Sequence, residues 1–380
     1  FKSIIWRKIN TLMKKIVMIL TNGFDPDPRV YKEAYYLVNR GFKVTVLCWD
    51  RDINRNNPVK ESIDGINVVR YKIPSEYGSG KKQIFAYTKF IIRCKKYLCA
   101  NDVNYVHCND LDGMIAGYIS SNHKSKLVFD MHELYEDVGE GHKLKRKILR
   151  FVTKLMIKRC VAALYENDIY LNDNYRDIRS KLKPLKNYPD SKLIVPMNKL
   201  SAEKFRIGYF GGLRTQIPQF TTLFDAVKDM DDVEVMIRGT GPDLKMLQEL
   251  SRKYTNVTVG GPFDGIKELT DLYANIDIVY AGYRPDSDTR EYAEVVKFFE
   301  CILTGTPIIL TDVYTSMAKR IVSSGYGIIC DTLNVEQVKS AIIKLKTERQ
   351  FWDECSKNEK RDAHLYDWNE AVKILDEVYK

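Results

Sequence analysis

At 380 residues, 44% hydrophobic and 29% charged, the chain has a soluble globular composition and is too long for one ordinary core, so two domains are expected. No apolar run approaches the ~20 residues that cross a bilayer, and eight scattered cysteines, with no CxxC or Cys/His spacing, read as reduced cytoplasmic thiols rather than a metal set. A net charge of +10 and a pI near 9.0 ask for an anionic partner, but the cations follow no RNP-like or helix-turn-helix pattern, so nucleic acid is not expected.

The chain opens on "FKSIIWRKINTLMKK", a basic, amphipathic segment. It reads either as an element that lies on a lipid surface or as an extension ahead of a start at Met13. "KKIVMIL" (14–20) is a buried-strand pattern, and a polar turn, "TNGFDPDPR", follows it. Val30, Ala34, Leu37 and Val38 then make one apolar helical stripe that stops at Gly41, before a second strand, "FKVTVLCW". That is one βαβ unit, the building block of parallel sheets.

The alternation continues with a strand at 66–71, a helix at 81–99, a strand at 103–108, a helix near 111–121, a strand at 126–132 and a long basic helix around 143–159. The lysine-rich stretch 180–204, with three prolines and no sustained period, reads as an interdomain linker. Beyond it strands fit at 205–212, 233–239, 256–261, 276–282, 307–312 and 327–331, and the chain closes on two helical stretches. The fold class is α/β, with two doubly wound Rossmann-like domains and ligands expected outside the C-terminal strand ends.

Four groups fall at those ends. "GGLRT" places Gly211, Gly212 and Arg214 just past the strand that opens the second domain, where glycines admit a ligand to the backbone and an arginine grips phosphate. "RGTGPD" puts Arg238 and Gly239 in a second strand-to-helix turn; neither GxGxxG nor GxxxxGK[ST] is present, which weighs against an NAD enzyme and a P-loop NTPase. In "EYAEVVKFFECILTGTPIILTD", Lys297 and Glu300 lie three apart near a helix start. A solvated ion pair is the plain explanation. The sharper one gives Lys297 and the helix N-terminus a diphosphate, and gives Glu300 the vicinal hydroxyls of a ribose. Finally, "HCND" and "DMHE" end two strands with His107 and His132 beside acidic or amide residues, the makings of metal ligation or general-base work but not a closed metal set.

These landmarks, in this order, resemble the nucleotide-sugar glycosyltransferases of the GT-B fold, particularly the retaining family 4 type. "DPRVYKEAYYLVNRGFKVTVLCW" resembles that family's first βαβ unit, "FDMHELYED" its "yDaHElfpE" segment, and "KNYPD" the close of its first domain. "IGYFGGL", "IRGTGP" and "VVKFFECILTGTPII" resemble its donor-domain landmarks, and "YDWNEAVKILDEVY" its closing helix. The resemblance spans roughly 360 residues. It implies two domains facing a cleft: an acceptor-binding domain over 1–190 (1–13 an extension), a donor-binding domain over 200–355, and C-terminal helices over 356–380 that cross back.

By position, Arg214 and Lys297 would hold the diphosphate of a UDP- or GDP-linked sugar and Glu300 its ribose. Gly212, Arg238, Gly239 and Phe263 would line the donor, and His132 would face the donor sugar. Gly23, Asp27, Arg29, His107, Asp110 and Glu133 would belong to the acceptor side. The implied reaction keeps anomeric configuration and needs no metal or cofactor. Its acceptor would be a glycan or lipid-linked glycan, with peripheral contact at an anionic inner membrane face. Two departures stand out: Tyr292 where the family's Glu-x7-Glu pair has its first glutamate, and "RTQIPQF" where a second phosphate cation usually follows the arginine. A nucleotide-sugar epimerase on the same scaffold and a non-catalytic partner subunit are the alternatives.

Overall fold

The computed structural model describes residues 13–24, 27–52, 54, 56–76, 80–122, 124–132, 135, 143–194, 202–214, 216–265, 267–283, 294–313 and 315–380. It divides into two compact units, 1–186 with 372–380, and 187–371.

The first unit is built on an eight-stranded sheet: β1 (Lys15–Leu20), β2 (Lys43–Asp50), β3 (Lys60–Ile63), β4 (Ile66–Lys72), β5 (Tyr105–Asn109), β6 (Lys126–Met131), β7 (Ala162–Tyr165) and β8 (Leu182–Pro184), in the order β3-β4-β2-β1-β5-β6-β7-β8. All neighbours are parallel except β3, which pairs antiparallel with β4. The sheet grows in one direction from β1 to β4 and in the other from β5 to β8. Right-handed crossovers therefore set α1 (Pro28–Asn39) on one face and α2 (Lys81–Ala100), α3 (Asp110–Ser120) and α4 (Lys143–Arg159) on the other. The apolar stripe of α1 is buried through Val30, Ala34 and Leu37. Buried on both faces, β1, β2, β5 and β6 read as continuous apolar runs, which is why the sequence found them. It passed over β3, β7 and β8, which at three or four residues show no period.

The second unit repeats the plan with β9 (Phe205–Gly212), β10 (Val233–Thr240), β11 (Val257–Val259), β12 (Ile278–Ala281), β13 (Ile308–Thr311) and β14 (Gly327–Cys330), all parallel, in the order β11-β10-β9-β12-β13-β14. Between them run α5 (Ile217–Val227), α6 (Leu244–Ser251), α7 (Leu269–Ala274), α8 (Val296–Thr304) and α9 (Thr315–Ser324), followed by α10 (Val335–Thr347) and α11 (Arg349–Asp362). Alternate residues of β9 feed the two cores: Ile207 and Tyr209 pack with Leu223 and Phe224, and Phe210 packs with Tyr273 and Phe299.

The unit boundary falls at 186/187, and the chain rejoins the first unit at Val372 rather than at 356. Burial explains the later return. In α11, Trp352 donates to the Asp277 carbonyl at 3.0 Å and Ser356 to that of Gly305 at 2.7 Å, so this helix stays with the second unit. The last nine residues include α13 (Ile374–Val378), which follows the short α12 (Trp368–Ala371). They dock on α1, where Tyr36 and Arg40 both donate to Asp376.

Candidate functional site

In both units the sheet grows in opposite directions from a topological switch point, β1/β5 in the first and β9/β12 in the second, and ligands are expected at the carboxyl strand ends there. The predicted residues gather at these two places.

In the second unit β9 runs out through Gly211, with φ +146, and Gly212. Opposite lies Gly239 of β10, where an added Cβ would sit 1.8 Å from the Gly211 carbonyl oxygen; no other residue permits this backbone approach. The two turns are stapled together: Leu213 N–H donates to the Thr240 carbonyl, Asp243 N–H to that of Leu213, and Gln216 N–H to the Asp243 carboxylate at 3.0 Å. Arg214 stands exposed on this platform.

Lys297 reaches the same platform from the second position of α8. Its Nζ lies 4.3 Å from the Tyr209 ring centroid and would meet a Gly211 Cβ at 2.4 Å. Val295, the N-cap, makes no side-chain cap, and the Phe298 amide donates to the Val295 carbonyl at 3.0 Å, so the first turn of α8 presents the amides of Val296 and Lys297 beside that lysine's side chain. One turn on, Glu300 accepts a hydrogen bond from the Tyr273 hydroxyl at 2.8 Å. Burial and the adjacent carboxylate push that phenol well above its ordinary value, so it stays a donor. Arg238 is turned to the neighbouring loop. Its guanidinium donates to the carbonyls of Gly261 and Pro262 and pairs with Glu268, which in turn accepts from Asp264 N–H at 2.7 Å. It thereby shapes the loop that carries Phe263, whose ring meets Phe210 edge-on at 6.2 Å.

In the first unit the strand ends hold a buried polar chain. Arg29, one residue into α1, donates twice to Asp130 at the end of β6, at 2.8 and 2.6 Å, and once to the Leu185 carbonyl. Glu33, one turn along, lies 3.2 Å from Arg29 on one side and 3.2 Å from His107 Nε2 on the other. The second nitrogen of His107 meets the Tyr379 hydroxyl at 2.5 Å. Beyond Asp130 the chain reaches His132, with Nε2 2.7 Å from Asp130 and Nδ1 3.2 Å from Asp110. Asp110, held at φ +62 at the start of α3, also accepts from the Tyr135 hydroxyl.

The charges follow from this geometry. Burial alone would favour neutral His132, but Asp130 and Asp110 outweigh it and hold the ring well above the usual histidine range, as an imidazolium. Burial would likewise raise Asp130, and Arg29 with His132 instead hold it well below the carboxylate range. Burial and nearby Asp130 raise Glu33 against the pull of His107 and Arg29. Glu33, His107 and Asp130 bring ligand atoms within 4.8 Å of one another, as a metal set would, yet Arg29 already supplies a cation against both carboxylates.

The acceptor-side expectations divide accordingly. Arg29 and His107 are interior, 5% and 0% exposed, and face no solvent from which an acceptor would come. Asp27 caps α1, accepting from the amides of Arg29 and Val30. Gly23 and Phe24 present their carbonyls to buried Arg70 at 2.9 and 3.0 Å, which fixes the loop after β1. Asp110 is partly exposed beside His132. Glu133 and Tyr292 lie outside the described residues. The sequence reading missed Asp130, Glu33, Tyr209, Tyr273 and Tyr379. A signal existed for Glu33: a carboxylate on the apolar stripe of an amphipathic helix, one turn from an arginine.

No family model matches the chain, and no curated protein matches it in sequence. Solved structures do match. The chain is similar to a sucrose-phosphate synthase from Thermosynechococcus elongatus, with a TM-score of 0.72 at 15% identity over 96% of this chain and 98% of that one. It is similar to HepE of Anabaena, solved in complex with UDP and glucose, with a TM-score of 0.68 at 15% identity over 96% and 98%. A UDP-N-acetylglucosamine 2-epimerase matches with a TM-score of 0.62 at 12% identity over 95% and 94%. At these identities the likeness is one of fold, and that fold is GT-B.

Proposed function

We propose that the chain is a glycosyltransferase that moves a hexosyl group from a UDP- or GDP-linked sugar to the hydroxyl of a glycan or lipid-linked glycan, in the manner of the retaining family 4 enzymes. The observation that carries this reading is the convergence of Lys297, the uncapped start of α8 and the Gly211–Gly212 turn at the switch point of the second unit, with Glu300 one turn away. A pyrophosphate laid on the glycine turn meets a full cation and a set of amide donors, and the ribose hydroxyls reach Glu300. Arg214, on the same turn, adds a second cation.

In such a reaction the largest demand is charge that builds on the departing diphosphate, which preorganised cations and amides stabilise without reorganising. Lys297, Arg214 and the α8 amides perform that task with no metal. Imidazolium His132 has both nitrogens committed to carboxylates, so its part is electrostatic and positional rather than that of a base. The net charge of +10 suits a lipid-linked acceptor at a cytoplasmic, anionic membrane face.

A donor screen that measures nucleotide release with and without hydroxyl acceptors tests the proposal. Acceptor-dependent release of UDP or GDP that falls at least about a hundredfold in Lys297→Ala is the expected result. Unchanged turnover in that variant removes the assigned role. Interconversion of donor sugars with no acceptor present would instead favour the epimerase reading that the third structural match brings to mind, and nucleotide binding without turnover would favour the non-catalytic subunit.

A further inference from the structure

On the surface of the first unit, α4 has the sequence KLKRKILRFVTKLMIKR, in which eight of 17 residues are Lys or Arg and none is acidic. Its inward face is settled by Thr153, Met156 and Ile157, which are buried. The opposite face is not polar. Leu144, Ile148, Phe151 and Leu155 are 69%, 54%, 68% and 39% exposed. At 100° per residue these four fall within about 60° of one another, a straight apolar ridge along the helix. Lys147 flanks one side of the ridge, where Lys158 is exposed but paired with Asp177 at 3.1 Å, and Lys145 and Arg159 flank the other. Cations nearer the protein are held down: Arg150 donates to Asn174, and Lys154 pairs with Asp177 at 2.6 Å. The ridge continues onto α3, where exposed Tyr118 lies under the Arg159 guanidinium at 5.7 Å, next to exposed Ile119.

A solvated helix face has no reason to keep a phenylalanine and three aliphatic side chains in a row. A protein partner that covered them would need acidic groups on both flanks. A bilayer rich in anionic phospholipid meets both requirements at once, with acyl chains for the ridge and phosphates for the cations beside it. We propose that α4 is a membrane-docking helix that lies in the plane of an anionic phospholipid surface, with Phe151 at the centre of the inserted edge. This places the membrane contact of the proposed function on one helix of the folded unit rather than on the basic residues 1–15. It is read without donor or acceptor, so it stands or falls apart from sugar transfer.

The test is co-sedimentation of the full chain with vesicles of phosphatidylcholine alone or mixed with phosphatidylglycerol. Binding is expected only to the mixed vesicles and should weaken as salt rises. Ile148→Ser/Phe151→Ser should lower the partition coefficient at least about tenfold. Lys145→Gln/Lys147→Gln should lower it about fivefold per charge. All four positions are exposed, so the melting temperatures and UDP or GDP binding of these variants should match the parent. A chain lacking residues 1–12 should bind as well as the full chain. The proposal is overturned if the α4 variants bind like the parent, if only loss of residues 1–12 abolishes binding, or if the ridge substitutions dissolve a dimer seen by sedimentation velocity and leave vesicle binding intact.

Discussion

Replacing Asp130 by Asn tests the polar interior of the first unit most directly. The side chain is 0% exposed and takes two hydrogen bonds from Arg29 and one from His132, so the amide keeps the shape while removing the charge that both cations face. Removing one partner of a buried ion pair costs about 3–5 kcal/mol, because the other charge remains desolvated. For a unit of this size each kcal/mol moves the midpoint by about 2–4 °C, so the first unit should melt about 6–20 °C lower. Differential scanning calorimetry, with the second unit's transition as an internal reference, reads the shift. The double variant Arg29→Met/Asp130→Asn removes both charges and should lose at least about 1.5 kcal/mol less than the sum of the two single losses. Strict additivity, or a single-variant loss under about 1 kcal/mol, would refute the coupling of this pair.

Other predictions follow from the same two centres. Glu300→Gln should weaken UDP or GDP binding about tenfold or more, the worth of hydrogen bonds to a charged acceptor. Deoxyribose nucleotides should show the same weakening in the parent and little further loss in the variant; isothermal titration that finds no such discrimination removes the ribose role. Gly239→Ala would drive a methyl into the Gly211 carbonyl and should abolish nucleotide binding through misfolding of the second unit, read as loss of its calorimetric transition. Tyr379→Phe leaves a nitrogen of buried His107 without its partner and should cost about 1–3 kcal/mol in the first unit alone. A histidine whose pKa rises on folding contributes in full below its unfolded value near 6.5 and loses that contribution as pH climbs through the folded value. The stability gap between the parent and His132→Asn should therefore be steady below about pH 6 and narrow progressively as pH rises above about 6.5. A gap that widened with rising pH would contradict the imidazolium assignment.

By itself the sequence determined the fold. Parallel strands buried on both faces must be continuous apolar runs, and a helix covering them must carry a stripe at 3.6-residue spacing, so β1, α1 and β2 were legible to within a residue or two at their ends. The glycines of the β9 and β10 turns were legible too, because close backbone approach admits nothing else. That Lys297 and Glu300 share a helix face was a matter of spacing alone. Tertiary structure decided everything that depends on which strand end lies beside which. It turned Arg29 and His107 inward, gave Arg238 to the Phe263 loop, and made His132 an imidazolium by setting Asp110 and Asp130 on either side. It carried Tyr379 272 positions back along the chain to His107. Strand pattern specifies what each segment buries, whereas the partner of a buried charge is set by sheet order, and no local period encodes that order.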